Sequence, residues 1–581
     1  MIKLLSKSIR EYKTASILSP VFVSLEVVME VVIPYYMGKL LDYGVNLGDM
    51  KYIIKTGALL ALFCVMSLTF GVLCGKYAAK ASAGFSKNLR HDMFHNVQNY
   101  SFSNIDRFSV SSLVTRLTTD VTNLQNAYQM IIRIAVRSPL MLVFSLIMAF
   151  RVNHRLSLIF LCVVPFLAAG LFYIVTHAHP IFERVFKRYD KLNAVVSENL
   201  HGIRVVKSFV REEHEKEKFN KVSNVIYSDF VSAEKLLAFN APLMQFSSYI
   251  TMILISWFGA KLIYASGNVP ENGMTTGDLV ILITYSMQIL MTLMMLSMIF
   301  VMLTMSKASA QRICEVLSEK SDLSNPENPV MDVKDGSVEF ENVSFSYAKS
   351  EDKLCLKDAN FKINSGETVG IIGSTGSSKS TLVQLIARLY DVTKGSVKVG
   401  GVDVREYDLD TLRNQVAMVL QKNVLFSGTI KENLRWGNEF ATDEELEEAC
   451  RLAQADSFIK DFPDGYDTYI EQNGTNVSGG QKQRLCIARS LLKKPKILVL
   501  DDSTSAVDTK TDALIRKAFK EYIPETTKII IAQRISSVEH ADKIIVLDDG
   551  QIENIGTHEE LLGSDKIYTE VYNSQTKGGV K

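Results

Sequence analysis

The chain has 581 residues, too many for one hydrophobic core, so two or more domains are expected. Its 64 basic residues against 63 acidic ones give a net charge of +1, which removes any whole-chain electrostatic reason to expect nucleic acid as a partner. With 47% hydrophobic residues and a mean hydropathy of +0.11 it is too apolar for an ordinary soluble protein, and membrane spans are expected.

Basic residues Lys3, Lys7, Arg10 and Lys13 precede a long apolar segment with no small-residue cleavage site, which reads as a retained first span. Apolar segments of about 20 residues, enough to cross a bilayer, run over 15–38, 52–76, 130–150, 156–177, 242–264 and 279–305. The basic residues before the first span predict a cytosolic N-terminus, and six spans return the chain to the cytosol. The links at 77–129 and 178–241 are long, polar and helical in pattern, so they read as cytosolic extensions of the membrane helices. Seven scattered cysteines without metal-ligand spacing read as free thiols.

Glu26 and Glu30 lie four apart in the first span and so share a helix face. An acid at membrane depth faces a cavity or a partner, which leaves two readings: a site for a cationic or polar small-molecule substrate, or a structural hydrogen-bonding pair. Met287, Met291, Met294, Met295, Met298, Met302 and Met305 form a stripe at helical spacing along the sixth span. It reads either as packing or, at Met291 and Met298 for example, as an adaptable surface for apolar substrates.

The apolar pattern ends near Ser306, and the polar stretch 319–329, with Pro326 and Pro329, reads as a linker. The domains expected are thus 1–315 in the membrane, a linker over 316–335, and 336–581, where short Val/Ile/Phe strands alternate with helices in an α/β pattern. Gly373, Ser374, Thr375, Gly376, Ser377, Ser378, Lys379, Ser380 and Thr381 follow the strand 368–372 and precede an apolar helix. That order, strand to glycine loop to helix, aims backbone N–H groups and a helix N-terminus at phosphate oxygens. Lys379 would neutralise β and γ phosphates and Ser380 would offer a hydroxyl to Mg²⁺. Ser378 stands where the strict pattern has glycine, and a left-handed backbone there would cost about 1 to 2 kcal/mol. Weakened or altered nucleotide binding is expected.

Further on, Val477-Ser-Gly-Gly-Gln-Lys-Gln-Arg-Leu-Cys-Ile-Ala-Arg489 precedes Ile497-Leu-Val-Leu-Asp-Asp-Ser-Thr-Ser-Ala-Val-Asp508. Four apolar residues ending in the acids Asp501 and Asp502 read as a buried strand that delivers carboxylates to the C-terminal edge of a sheet. Together these stretches resemble the signature sequence, Walker B strand and D-loop of the ATP-binding cassette (ABC) family, and the segments 102–120 and 197–211 resemble the two intracellular coupling regions of ABC exporters. The resemblance implies an α-helical polytopic membrane domain of six transmembrane helices followed by an α/β P-loop nucleotide-binding domain, with ATP and Mg²⁺ as cofactors and ATP hydrolysis coupled to export across the plasma membrane.

By the same resemblance, Tyr347 stacks adenine, Gln421 is the Q-loop glutamine near Mg²⁺ or the attacking water, and Asp501 holds the Mg²⁺ shell through water. Ser478, Gly479, Gly480 and Gln481 serve ATP held by an opposite subunit, and Glu471 matches a residue that touches the coupling helices. Two positions depart from the family besides Ser378. Asp502 stands where a catalytic Glu belongs, its carboxylate about 1.5 Å short, and Gln533 stands where a switch-loop His belongs and cannot take up a proton at neutral pH. Three departures around one phosphate, with the signature intact, resemble the degenerate-site subunit of a bacterial heterodimeric ABC multidrug exporter, whose partner is a second half-transporter. The alternatives are a slow homodimeric exporter of lipid or peptide and a nucleotide-gated membrane protein that does not transport.

Overall fold

The computed structural model describes residues 1–577 except 270, 272 and 503–506, with the backbone alone at 179, 183, 186, 187, 190, 301, 304, 305 and 577. Two compact units divide the chain: Met1–Asn99 with Ser109–Glu319, and Tyr100–Phe108 with Lys320–Lys581.

The first unit is helical. Among the described residues, six helices are long and apolar enough to cross a membrane: Ile2–Val45, Met50–Gln98, Val110–Val152, His154–Phe182, Glu212–Ser266 and Thr276–Phe300. Each overlaps one of the six apolar segments. At 1.5 Å per residue the 49-residue helix Met50–Gln98 is about 74 Å long, against a hydrocarbon core of about 30 Å, so much of its polar second half must extend beyond the bilayer. Val27, Val31, Met141, Phe160, Ile255, Ile281 and Tyr285 form a buried core between the spans. The first and last spans meet closely because Gly38 has no side chain; a Cβ there would lie 2.4 Å from Ile281. Asp42 accepts from the Gly277 N–H at 2.9 Å and the Thr275 hydroxyl at 2.6 Å. An acid at that place suits the positive N-terminal end of the helix Thr276–Ser318.

The second unit is α/β. Its strands are β1 (Val338–Phe345), β2 (Leu356–Ile363), β3 (Thr368–Gly373), β4 (Lys394–Val399), β5 (Val402–Asp403), β6 (Val416–Val419), β7 (Gly428–Thr429), β8 (Tyr469–Ile470), β9 (Ile497–Asp501), β10 (Thr527–Ile531), β11 (Lys543–Asp548) and β12 (Gln551–Gly556). Six of them form one sheet in the order β12-β11-β3-β10-β9-β6, parallel except at β12. Strands β2-β1-β4-β5 form a second, antiparallel sheet. Every residue of β9 is buried, as a strand covered on both faces requires. Successive side chains point to opposite faces, so Leu498, Leu500 and Ile530 join one hydrophobic core while Ile497, Val499, Ile529 and Ile531 join the other.

The short helix Phe102–Arg107, from the first segment that resembles a coupling region, belongs to this second unit. Asp322 gathers the hydroxyls of Ser101 and Ser103 and the ammonium of Lys349, the last two at 2.6 Å. Burial alone would raise the Asp322 carboxyl, but the hydrogen bonds from Lys349, Ser101 and Ser103 outweigh it and hold the group at about 2. At the other end of the helix the Tyr390 hydroxyl donates to Asp106 at 2.6 Å. The seven cysteines are free, as their scattered spacing predicts.

Candidate functional site

Four loops leave neighbouring strands at the C-terminal edge of the parallel sheet: the phosphate loop after β3, Gln533 after β10, Asp502 after β9 and Gln421 after β6. Register makes them converge, with Ile531 opposite both Ile371 and Asp501, and Leu500 opposite Val419.

The phosphate loop is shaped by two close constraints. A Cβ at Gly373 would lie 2.0 Å from the Leu547 carbonyl of β11, so only glycine passes there, and Ser374 then donates to Asp548 at 3.0 Å. Gly376 has φ +88 with open space beside it. Ser377 is buried, and the Lys379 ammonium folds back over the loop, donating to the carbonyls of Gly373 (2.9 Å) and Ser374 (2.7 Å). Burial lowers the pKa of Lys379, opposed by Asp501 and Asp502.

Ser378 sits at φ +72, ψ 22, the left-handed conformation in which a β-carbon is strained. The departure from glycine read in the sequence is therefore a departure at a position whose backbone calls for glycine. Ser378→Gly should stabilise this unit by about 1 kcal/mol, seen as a higher thermal unfolding midpoint of the protein. An unchanged or lower midpoint would place the strain elsewhere.

Ser380 donates to Asp501 Oδ1 at 3.0 Å. Burial raises the Asp501 carboxyl above its ordinary range, opposed by that hydrogen bond. A hydroxyl and a carboxylate side by side next to the phosphate loop form the oxygen-donor pair that Mg²⁺ accepts, so these residues fit the ion. Tyr347 stands at the edge of this region, its hydroxyl within 3.0 Å of Thr381 Oγ1 and donating to Gln384 at 3.2 Å, with Tyr390 packed edge-on at 5.2 Å. Tyr347 is 46% exposed, as a residue that stacks a planar base would be.

Asp502, Gln533 and Gln421 come together. The Gln533 side-chain amide donates to Asp502 Oδ2 at 2.9 Å and the Gln421 amide reaches the same oxygen at 3.4 Å. Asp502 itself sits at φ +49, tied by its N–H to the Ile531 carbonyl at 3.0 Å. One oxygen of Asp502 is thus already engaged by two side-chain amides.

Ser478 caps the helix Gly479–Leu491. Its hydroxyl accepts from the Gln481 N–H at 3.3 Å, and the Gln481 side chain accepts from the Ser478 N–H at 2.9 Å. The Gln481 side chain is thus spent within the cap, while Ser478 and Gly479 are exposed at the positive helix end. Among the described residues no hydrogen bond joins this cap to the phosphate loop. Glu471 accepts from Thr475 at 2.7 Å. Residues 503–506 of the D-loop stretch lie outside the described residues.

In the membrane unit, Arg137 bridges Glu26 (3.0 Å) and Glu30 (2.7 and 2.8 Å). Sequence reading missed Arg137, although an arginine inside the apolar segment 130–150 was a visible signal. Met287, Met291, Met294, Met295 and Met298 are 42 to 65% exposed, so the stripe does not serve packing within this chain. Ile281, Leu282, Tyr285 and Ile289 do that instead. The side chain of Met305 lies outside the described residues.

A family model described as the ABC transporter transmembrane region matches residues 16–311, and one described as ABC transporter matches 356–505. The chain belongs to the ABC transporter family. The ABC transporter ATP-binding protein YfiB of Bacillus subtilis (strain 168) is 37% identical over 550 residues, which cover 95% of this chain and 94% of that protein. Rv1273c of Mycobacterium tuberculosis (strain ATCC 25618 / H37Rv), of the same description, is 35% identical over 589 residues that span 100% of both chains. A solved structure of a bacterial Atm1-family ABC exporter with ATP bound matches with a TM-score of 0.83 at 24% identity, over 97% of this chain and 99% of that one, and shows the same fold. The chain is thus a multi-pass membrane ABC transporter subunit with an ATPase domain coupled to transport.

Proposed function

We propose that this subunit pairs with a different half-transporter in a heterodimeric, ATP-driven exporter of amphipathic compounds, and that its own ATP site hydrolyses slowly. The observation that carries the reading is the Asp502 carboxylate, short by one methylene and held by Gln533 and Gln421. A general base must reach the proton it removes, and a group engaged by two neighbouring amides is poorly placed to do so.

At this chain's own site, Tyr347 would stack the adenine, and the loop from Gly373 to Ser378 with Lys379 would hold the phosphates. Ser380, Asp501 and Gln421 would surround Mg²⁺, which neutralises phosphate charge when bound. Ser478, Gly479 and Gly480 would turn backbone N–H groups toward ATP held by the partner. The exposed methionines suit a substrate surface that accepts many apolar shapes. Lys3, Lys7, Arg10 and Lys13 support a cytosolic N-terminus and nucleotide-binding domain in the plasma membrane.

The test is to purify the chain alone and with candidate second half-transporters that carry a Walker B Glu and a switch-loop His. Substrate-stimulated ATPase is expected only in the pair. A stable homodimer with full stimulated turnover would replace this reading by the homodimeric one.

A further inference from the structure

We infer that Gln575, on the C-terminal helix, is a positioning residue for ATP hydrolysis: its side-chain amide clamps the backbone of the loop after β10 and so holds Gln533 on Asp502. The inference rests on the reading above, in which Gln533 and Asp502 face this chain's own ATP, and names what sets their geometry.

The need for a clamp follows from where the sheet ends. Strand β10 stops at Ile531, and Ala532 makes the last bond to the neighbouring strand, its N–H donating to the Ile371 carbonyl at 3.3 Å. Beyond it the backbone polar groups must find other partners. The short helical turn that follows, Ile535–Ser537, has Arg534 at its N-cap, which gives no side-chain cap. Gln575 meets both needs. Its Oε1 accepts from the Ile535 N–H at 2.9 Å and its Nε2 donates to the Gln533 carbonyl at 2.8 Å. Among the described residues these are the hydrogen bonds which that N–H and that carbonyl make. The far end of the segment is held from another side, where Arg516 donates to the Ser536 carbonyl at 2.8 Å and the Ser537 hydroxyl to Asp512 at 3.3 Å. Gln575 therefore governs the end that carries Gln533.

The helix that presents Gln575 is firmly seated. Within Lys566–Lys577, Tyr568, Val571, Tyr572 and Gln575 fall at i, i+3, i+4 and i+7 and so share one face. Tyr568 is fully buried in the core that also holds Ile535 and Val538, and Val571 and Tyr572 pack against that core. The Tyr568 hydroxyl lies 2.7 Å from His558 Nδ1. An apolar face thus delivers one polar side chain to the loop, at the point where Gln533 turns its own amide to Asp502 Oδ2 at 2.9 Å. Because both of its bonds are to main-chain atoms, Gln575 sets where the side chain at position 533 starts.

The experiment measures ATPase in the complex of this chain with its partner, the partner's site being silenced through its phosphate-loop lysine, and separates kcat from KM for ATP. Gln575→Ala should free Asp502 from the Gln533 amide and raise kcat by about 2- to 10-fold, the scale of one net hydrogen bond, with KM unchanged. Gln533→Ala should raise kcat as much, and the double variant no further, because both remove the same contact. Gln575→Glu separates the two bonds, since an ionised carboxylate still accepts from Ile535 but cannot donate to the Gln533 carbonyl. Its kcat should rise as in Gln575→Ala, while deuterium uptake of the segment 533–538 stays closer to that of the unaltered protein. Because it keeps the tie to Ile535, it also answers for the case in which Gln575→Ala unseats the helix. A rise with Gln533→Ala but none with either Gln575 variant, additive effects in the double variant, or a change carried by KM would overturn the positioning role. If Gln533→Ala itself changes nothing, the restraint on Asp502 in the reading above falls and the role of Gln575 with it.

Discussion

Replacing Asp502 by Glu together with Gln533 by His should raise ATP turnover at this chain's own site by about 10- to 100-fold, because misplacement of a catalytic group by about 1 Å can cost about 100-fold. The added methylene lengthens the reach of the carboxylate by about 1.5 Å. The histidine removes the amide that engages Asp502 Oδ2 at 2.9 Å and adds a group that exchanges a proton near neutral pH. Each single change should do less. Asp502→Glu alone leaves the Gln533 amide beside the new carboxylate, and Gln533→His alone leaves the carboxylate short. The measurement is hydrolysis in a complex whose partner site has been silenced through the partner's own phosphate-loop lysine, so that turnover reports this site only. No rise in the double variant, with an unchanged unfolding midpoint, would remove these two residues as the cause of slow turnover.

How far the sequence reached depended on the range of the signal. The strand Ile497–Asp501 was legible because a fully buried parallel strand must be apolar throughout and because its acids end at the sheet edge. The six spans were legible because a bilayer demands a minimum apolar length. What stayed hidden was pairing across the chain. Arg137 lies 111 residues from Glu26, and nothing in a one-dimensional pattern links them. The methionine stripe was ambiguous for a related reason, since helical spacing marks a face without saying what covers it. Ser378 stood between these cases. The motif marked the position as a glycine's, but only the backbone angle of +72° shows that serine is strained there. Gln481 shows the reverse, a motif residue whose side chain turns inward to cap its own helix.

The same logic of division separates two further variants. Gly479 is the first residue of its helix and lies at the positive end of the macrodipole, where an acid is favourable to the helix by about 0.3 to 1 kcal/mol. Gly479→Asp should therefore leave this unit folded, or slightly more stable, while placing a negative charge where a partner's γ-phosphate would sit. Loss of such a phosphate-facing donor surface should cost the complex about 10² to 10³ in steady-state ATPase, the range seen when one preorganised anion-stabilising donor is removed. Lys379→Ala should instead weaken nucleotide binding at this chain's own slow site and lower the turnover of the complex far less. The comparison is made on one complex, with ATPase rate and unfolding midpoint measured for both variants. Similar losses from both would mean that the two sites share the work, and the asymmetric reading would fail. A large loss from Gly479→Asp with an unchanged midpoint ties the exposed cap at Ser478 to the chemistry of the second subunit, because within this chain the cap makes no hydrogen bond to the phosphate loop among the described residues.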